Sequence, residues 1–291
     1  MDALTLIVAG LANGSLYALV ALGLVLIYKT QDLVNFAHGE ILMVGAFMGY
    51  TIFQILGWPY PLALIAAVFL CGVMGALIER VAFRRLAHEH HITLVMVTVG
   101  LSFTLRGAAR LPFGADIYTF PPLFKDTGLI VLGSVAISPQ SLVTIGIALL
   151  LTLLLFFFFR STTMGKQMRA TQQNQLGAKL VGTNTGRIFS GTWALACAAG
   201  GAAGVLAGPV SLLYPDMGTN FLLKGFAAAV LGGFESIPGA VVGGLLVGVI
   251  EVLFGGYVST AFQHVSPFFI IIIVLFVRPH GLFGHKPTHK V

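Results

Sequence analysis

Charge is what this 291-residue chain has least of: 9% of its residues are Asp, Glu, Lys or Arg, against 57% hydrophobic, with a mean hydropathy of +0.95. A soluble domain covers itself with about 25% charged residues, so that class is excluded and lipid is the solvent that suits this chain. Cysteine is equally scarce. Cys71 and Cys197 both lie inside apolar stretches, where a thiol behaves as a small hydrophobe, and no disulfide or metal framework is implied. A phosphate-cradling G-x-x-x-x-G-K-[ST] loop is missing as well. Around Gly165 and Lys166, Arg160 stands where the first glycine should be and Gln167 replaces Ser or Thr. Any nucleotide that drives this protein therefore binds on another chain. No Ser/His/Asp or paired-carboxylate arrangement stands out, so an intramembrane enzyme has no named nucleophile. Ten-residue polar and apolar alternation is absent too, which excludes a transmembrane barrel and leaves helices.

What is present are apolar stretches near the length of about 20 residues that a spanning helix needs. They cover 4–28, 36–56, 61–78, 92–111, 141–159, 188–213, 221–234, 237–254 and 258–277. The expected fold is an all-α polytopic membrane protein of roughly 8 to 9 spans, one transmembrane domain over 1–291. The first stretch reads as a retained span, because Asp2 stands where a secretion signal carries Lys or Arg and no small-residue cleavage site follows.

The net charge of +6 and pI near 9.5 do not mark a nucleic-acid partner, because the basic residues are spread along the chain. Their placement fits membrane topology. The densest clusters are Arg80, Arg84 and Arg85, then Arg160, Lys166, Arg169, Lys179 and Arg187, and such clusters stay cytoplasmic. Alternation from these anchors puts Lys29 and the tail residues Arg278, Lys286 and Lys290 inside and Met1 outside. Loop 112–140, with only Lys125 against Asp116 and Asp126, belongs on the far side.

The 36 glycines recur with small-xxx-small spacing at Gly10/Gly14, Gly45/Gly49, Gly200/Gly204/Gly208 and Gly244/Gly248, the pattern of close helix crossings. A Gly/Ala-rich span (11–28), a polar break (29–35) and a Gly-rich span recur as 192–213, 214–220 and 221 onward. Topology makes the copies run in opposite directions. Inverted repeats of this kind build transporters, with the substrate path beside discontinuous helices.

Ionisable residues near or within hydrocarbon need a reason, and here they are Glu40, Arg106, Arg110, Lys224, Glu235 and Glu251. Asn35, His38 and Glu40 open the second span at a helix N-terminus, where they either line and gate a substrate path or cap a helix end at the interface. Arg106 and Arg110, four apart, share a face near the outer surface, where they either meet an acidic binding partner or, as expected here, snorkel to headgroups. His88, Glu89, His90 and His91, with His285 and His289 in the tail, lack metal-ligand spacing and read as solvated. Segment 160–187 is too long for a turn. Its Met168, Leu176, Leu180 and Val181 predict a short amphipathic helix, docked either in a groove of a soluble partner or on lipid.

Several segments together resemble the branched-chain amino acid ABC transporter permeases of the LivH type, in the family's order and over nearly the whole chain. They are LANGSLYALVALGL from Leu11, VNFAHGE from Val34 to Glu40, Gly165 to Gly182, GGFESIPG from Gly232 within 225–244, and RPHGLFG from Arg278. The resemblance implies an ABC importer permease fold. It also implies a second homologous permease, two cytoplasmic ATPase subunits that bind ATP and Mg, and a periplasmic solute-binding protein, all in the bacterial inner membrane. The cytoplasmic segment would be the coupling element, carried by Gly165, Arg169, Ala170, Leu176, Ala178, Leu180 and Gly182. Asn174, Leu176 and Thr183 stand where the family commonly has Asp, Glu and Ile. Relatives carry leucine, isoleucine and valine, or other amino acids, urea, short amides or aromatic acids. The rival from another class is a stand-alone secondary transporter or channel, driven through Glu40, Glu235 or Glu251.

Overall fold

The computed structural model describes residues 3–86, 89–121, 130–132, 135–263 and 265–284. Helices dominate it, as they must where hydrocarbon leaves each backbone N–H and C=O to be satisfied internally. In order these are α1 (Ala3–Gln31), α2 (His38–Tyr50, prolonged by a π-helical turn Thr51–Ile55), α3 (Tyr60–Ile78, prolonged by a π-helical turn Glu79–Phe83 and a 3-10 turn Arg84–Leu86), and α4 (His91–Phe113). Two short strands, β1 (Ile130–Leu132) and β2 (Val135–Ile137), pair antiparallel before α5 (Pro139–Ser161). There follow α6 (Thr163–Gln173), α7 (Gln175–Leu180), α8 (Thr185–Ala207), α9 (Met217–Gly232), α10 (Ile237–Tyr257), α11 (Thr260–Gln263) and α12 (Ser266–Val277).

Among the described residues six helices are long and apolar enough to cross a membrane: α1, α3 with its continuation to Leu86, α4, α5, α8 and α10. Helices α9 and α12 are apolar but shorter. With α2 they account for the nine apolar stretches of the sequence, with several edges moved; α9, for example, begins at Met217 and α3 continues to Leu86. Helix α8 stops at Ala207, before Gly208 and Pro209, since proline cannot continue it. Stretch 258–277 divides into α11 and α12, the latter starting at Ser266 with Pro267 in its first turn.

The long helices α1 and α8 organise the rest, and each packs on the same two kinds of neighbour. Helix α1 runs antiparallel to α10, with Leu6 against Gly256, Gly10 against Val249 and Gly14 against Leu245. It runs parallel to α9, with Tyr17 against Phe221 and Val20 against Gly225. Helix α8 runs antiparallel to α3, with Trp193 against Gly75 and Gly201 against Cys71, and parallel to α2, with Gly200 against His38 and Gly204 against Ala46. The end of α1 meets the first half of α8, where Trp193 Nε1–H donates to Gln31 Oε1 at 2.9 Å, so the two run in opposite directions. Helices α1–α2–α3 and α8–α9–α10 thus repeat one arrangement with inverted sense. The glycines picked out by their spacing sit at these crossings, except Gly208, which follows α8 and meets the Phe120 ring: a Cβ on Gly10 would lie 2.7 Å from the Val249 Cα, and one on Gly244 would lie 2.5 Å from the Ala18 Cα. Only glycine lets the backbones approach that closely.

Candidate functional site

The two short helices α2 and α9 begin inside the bundle, after the connections 32–37 and 208–216. His38, first residue of α2, packs against Gly23 of α1. Gly23 lies eight residues before the end of α1, about 12 Å back along its axis at 1.5 Å per residue, so the connection folds back into the bundle before α2 starts. Asn35 shapes that return: its Oδ1 accepts the backbone N–H of Ala37 at 3.0 Å, and its carbonyl accepts that of His38 at 3.2 Å. It therefore holds a helix start buried in protein, not one at the membrane interface, and Asn35, His38 and Glu40 are all essentially inaccessible to solvent.

Where α2 and α9 start, they touch. Gly39 and Gly218 hold the same place in their helices and face each other, so that a Cβ on Gly218 would fall 2.5 Å from the Gly39 carbonyl oxygen. Two helix N-termini, each with unsatisfied N–H groups and a positive dipole end, converge here. Glu40, in the first turn of α2, provides the matching negative charge.

A chain of alternating charge leads from this point toward the surface. Arg106 Nη2 on α4 donates to Glu40 Oε1 and, at 3.0 Å, to Thr219 Oγ1. Arg106 Nη1 lies 3.4 Å from Asp216 Oδ1, and Arg110 Nη2 lies 2.7 Å from Asp216 Oδ2. The side chains become more exposed along it, from 1% at Glu40 through 22% at Arg106 to 46% and 49% at Asp216 and Arg110. This corrects the expectation that Arg106 and Arg110 snorkel to headgroups. Their shared face was read properly, but it turns inward to carboxylates on α2 and before α9. Glu40 Oε2, Arg106 Nε, Asn35 Nδ2 and both ring nitrogens of His38 are buried without a hydrogen-bond partner among the described residues. Buried polar atoms left in that state are costly, and a polar solute or water entering beside them would relieve the cost.

The other ionisable positions have separate explanations. Lys224 Nζ on α9 donates to Glu251 Oε1 on α10 at 2.7 Å and to the Tyr17 hydroxyl of α1 at 3.2 Å, pinning three helices. Glu235 is exposed in the turn between α9 and α10. Sequence reasoning passed over Glu79 and Asp216. Glu79 is fully buried, takes hydrogen bonds from Arg84 Nη2 (2.8 Å) and from Ser190 of α8, and so ties the end of α3 to the start of α8. The available signal was Glu79 and Arg84 five apart, a spacing that a π-helical turn brings to one face. His88, His285 and His289 lie outside the described residues, as do Lys125 and Asp126.

Segment 160–187 forms two helices where the sequence predicted one. Thr162 Oγ1 caps α6 by accepting the Gly165 N–H at 3.0 Å, and Asn174 Oδ1 caps α7 by accepting the Gly177 N–H at 2.9 Å. Asn and Asp cap equally well, so Asn174 keeps the service that the usual aspartate would give. The break at Asn174 separates the apolar residues that were assigned to one face. Met168 of α6 is buried, while Leu176, Leu180 and Val181 are 68%, 80% and 81% exposed. Gly165 sits tight under the end of α5, and Arg169 donates to the Phe159 carbonyl. Ala170 is exposed, Ala178 is buried against the bundle, and Gly182, at φ +83°, ends the unit in a conformation that favours glycine.

The family model described as "Branched-chain amino acid transport system / permease component" matches residues 6–277. The high-affinity branched-chain amino acid transport system permease protein LivH of Escherichia coli (strain K12) is 34% identical over 97% of this chain and 96% of its own length. Its counterpart BraD of Pseudomonas aeruginosa is 32% identical over 98% and 97%. Among solved structures, PsaBC from Streptococcus pneumoniae in complex with Fab aligns over 94% of this chain and 91% of its own, with 15% identity and a TM-score of 0.49, too distant to inform the site. The chain belongs to the branched-chain amino acid transport permease family, a transport component that crosses the membrane several times.

Proposed function

We propose that this chain is the permease subunit of an ATP-driven importer that carries branched-chain or chemically related amino acids from periplasm to cytoplasm by alternating access. It works with a second homologous permease, two cytoplasmic ATPase subunits that bind ATP and Mg, and a periplasmic solute-binding protein, in the bacterial inner membrane. Its N-terminus faces the periplasm and its C-terminus the cytoplasm.

The observation that carries this reading is α7: a capped helix at the basic end of the bundle whose Leu176, Leu180 and Val181 project outward. Three adjacent exposed aliphatic side chains are what a groove on a soluble partner grips, and Glu79 and Arg84 stand behind them as a strut between α3 and α8. A push on α7 would pass through α8 to the α2–α9 crossing, where the chain of charge from Glu40 to Arg110 is a device with two arrangements, closed as seen or parted. Glycine-lined, discontinuous α2 and α9 supply the path. This chain performs no bond chemistry of its own.

The test replaces Leu176, Leu180 and Val181 with serine. Each buried aliphatic contact in an interface is worth about 1–2 kcal/mol, so uptake in whole cells should fall at least roughly tenfold with membrane insertion unchanged. Undiminished uptake in that variant, or full uptake by the purified chain alone in liposomes, counts against the assignment. The latter result would favour a stand-alone carrier.

A further inference from the structure

The end of the bundle that carries α6 and α7 holds a cavity of about 530 Å³, bounded by the ends of α1 and α5, by α6 and by the start of α10. Its walls are largely apolar, with Phe156, Phe159, Met168, Ile237 and Phe283 among them. Three cations also reach it, Lys29, Arg160 and Arg169, against the single carboxylate of Glu235. Arg169 is partly committed, since it donates to the Phe159 carbonyl. Lys29 and Arg160 form neither an ion pair within 4 Å nor a hydrogen bond among the described residues, although Glu235 attracts Lys29 across the cavity and leaves a net positive rim.

Each half of this lining asks for a different kind of matter. Three positive side chains around one space repel one another, a repulsion that water softens and an anion removes. Water gains nothing from the phenylalanine and isoleucine walls. A free inorganic anion would neutralise the rim and leave those walls wet, and a small zwitterion would bring as much positive charge as negative. An amphiphile with an anionic phosphate head and acyl chains satisfies both. Placement agrees with this: Lys29 and Arg160 are in the last turns of α1 and α5, two of the membrane-length helices, the depth at which basic side chains meet headgroups.

We propose that this cavity is a binding site for one anionic phospholipid, its phosphate held between Lys29, Arg160 and Arg169 and its upper acyl chains against Phe156, Phe159 and Ile237. The site is independent of the solute path at the α2–α9 crossing and of the docking reading of α7.

The full chain, purified with its native partners and placed in nanodiscs of phosphatidylcholine with or without phosphatidylglycerol, is washed in mild detergent and weighed by native mass spectrometry. One phosphatidylglycerol should persist per chain. The Lys29→Gln/Arg160→Gln variant should retain it about thirtyfold more weakly, each headgroup-level cation being worth about a fivefold factor. The charge-conserving Lys29→Arg/Arg160→Lys variant should retain it as the parent does, which separates headgroup binding from a folding defect. Equal retention of phosphatidylcholine, retention unaffected by loss of the two charges, or loss in the charge-conserving variant overturns the proposal. So does displacement of the lipid by inorganic phosphate at low concentration, which would make the site one for the free anion.

Discussion

Helices α1 and α4 are both long and apolar enough to cross a membrane, yet most of α1 is buried in protein and most of α4 is not. Hydropathy decides that both enter the membrane. It does not decide which one the other helices surround, because lipid tails are as apolar as leucine. What differs is how closely a neighbour's backbone can come. On α1, Gly10 and Gly14 meet the backbone of α10 directly, whereas Gly100 and Gly107 on α4 meet nothing within 4 Å. Helix α4 packs side chains such as Leu101, Leu105 and Phe113 on the core without backbone contact, and polar contacts tether it as well: Arg106 to Glu40, Arg110 to Asp216, and the Phe36 N–H to Thr98 Oγ1 at 3.3 Å. A helix set in place by close packing has one position. A helix held by side-chain packing and ion pairs depends on those pairs for its register against the α2–α9 crossing.

The largest effect should separate these two kinds of helix. Leucine at Gly244 would begin 2.5 Å from the Ala18 Cα, so that only backbone movement could admit it. Overpacking of that kind costs about 3 kcal/mol or more, and Gly244→Leu should sharply lower both the yield of folded protein and its thermal midpoint in detergent. Gly107→Leu, on open α4 surface, should stay within about 0.5 kcal/mol of the parent. Comparable losses for the two would show that backbone proximity does not distinguish α1 from α4. A loss at Gly107 alone would show instead that a partner chain covers that face.

The spacings Gly10/Gly14, Gly45/Gly49, Gly200/Gly204 and Gly244/Gly248 were visible in the sequence, and these glycines sit at close helix crossings, though the spacing did not say which helix meets which. The polar breaks at 29–35 and 214–220 likewise lay at the starts of α2 and α9, although α1 stays helical to Gln31 and α9 is helical from Met217. The partner of each buried charge was not legible. Arg106 and Glu40 lie 66 residues apart, and hydropathy reports depth along a helix but not which face meets which neighbour. Arg106 therefore looked like a headgroup anchor. Glu79 was hidden differently: beside Arg80, Arg84 and Arg85 it resembled one more solvated flank residue, and a π-helical turn is needed to fold it back onto Ser190. Asn174 did carry a legible signal, since an asparagine three residues ahead of Gly177 is an N-cap pattern. Grouping Met168 with Leu176 overrode it, and merged two helices into one.

Next in size is the tether of α4. Alanine at Glu40 leaves Arg106 with the more distant Asp216 and with Thr219. Loss of one partner from a buried pair costs about 3–5 kcal/mol. Arg106 is 22% exposed and keeps those contacts, so about 1–3 kcal/mol is expected for Glu40→Ala, read from thermal unfolding in detergent, with little relief from salt. Arg110→Ala removes a pair whose side chains are both about half exposed. It should cost about 1 kcal/mol or less and lose that difference at high ionic strength. If the two variants responded alike to salt, the graded burial from Glu40 to Arg110 would have no energetic meaning, and α4 would be held by something other than its inner ion pair.

The smallest effect returns to α1, at a glycine whose nearest neighbour is a side chain, with the Ala196 carbonyl farther off at 3.1 Å from a Cβ built there. Gly23 leaves room for the His38 ring, whose other side rests on Gly200 of α8. An alanine at 23 collides with the ring, which can turn aside, so Gly23→Ala should cost less than Gly244→Leu. His38→Ala vacates that space, and the Gly23→Ala/His38→Ala double variant should recover about 1 kcal/mol relative to the sum of the single variants, within the range of contacting pairs. At the Gly39–Gly218 contact, where carbonyl meets helix start, no such second-site rescue exists. Strict additivity at 23 and 38 would mean that the ring is not seated on Gly23, and the fixing of the α2 start between α1 and α8 would have to come from the Asn35 turn alone.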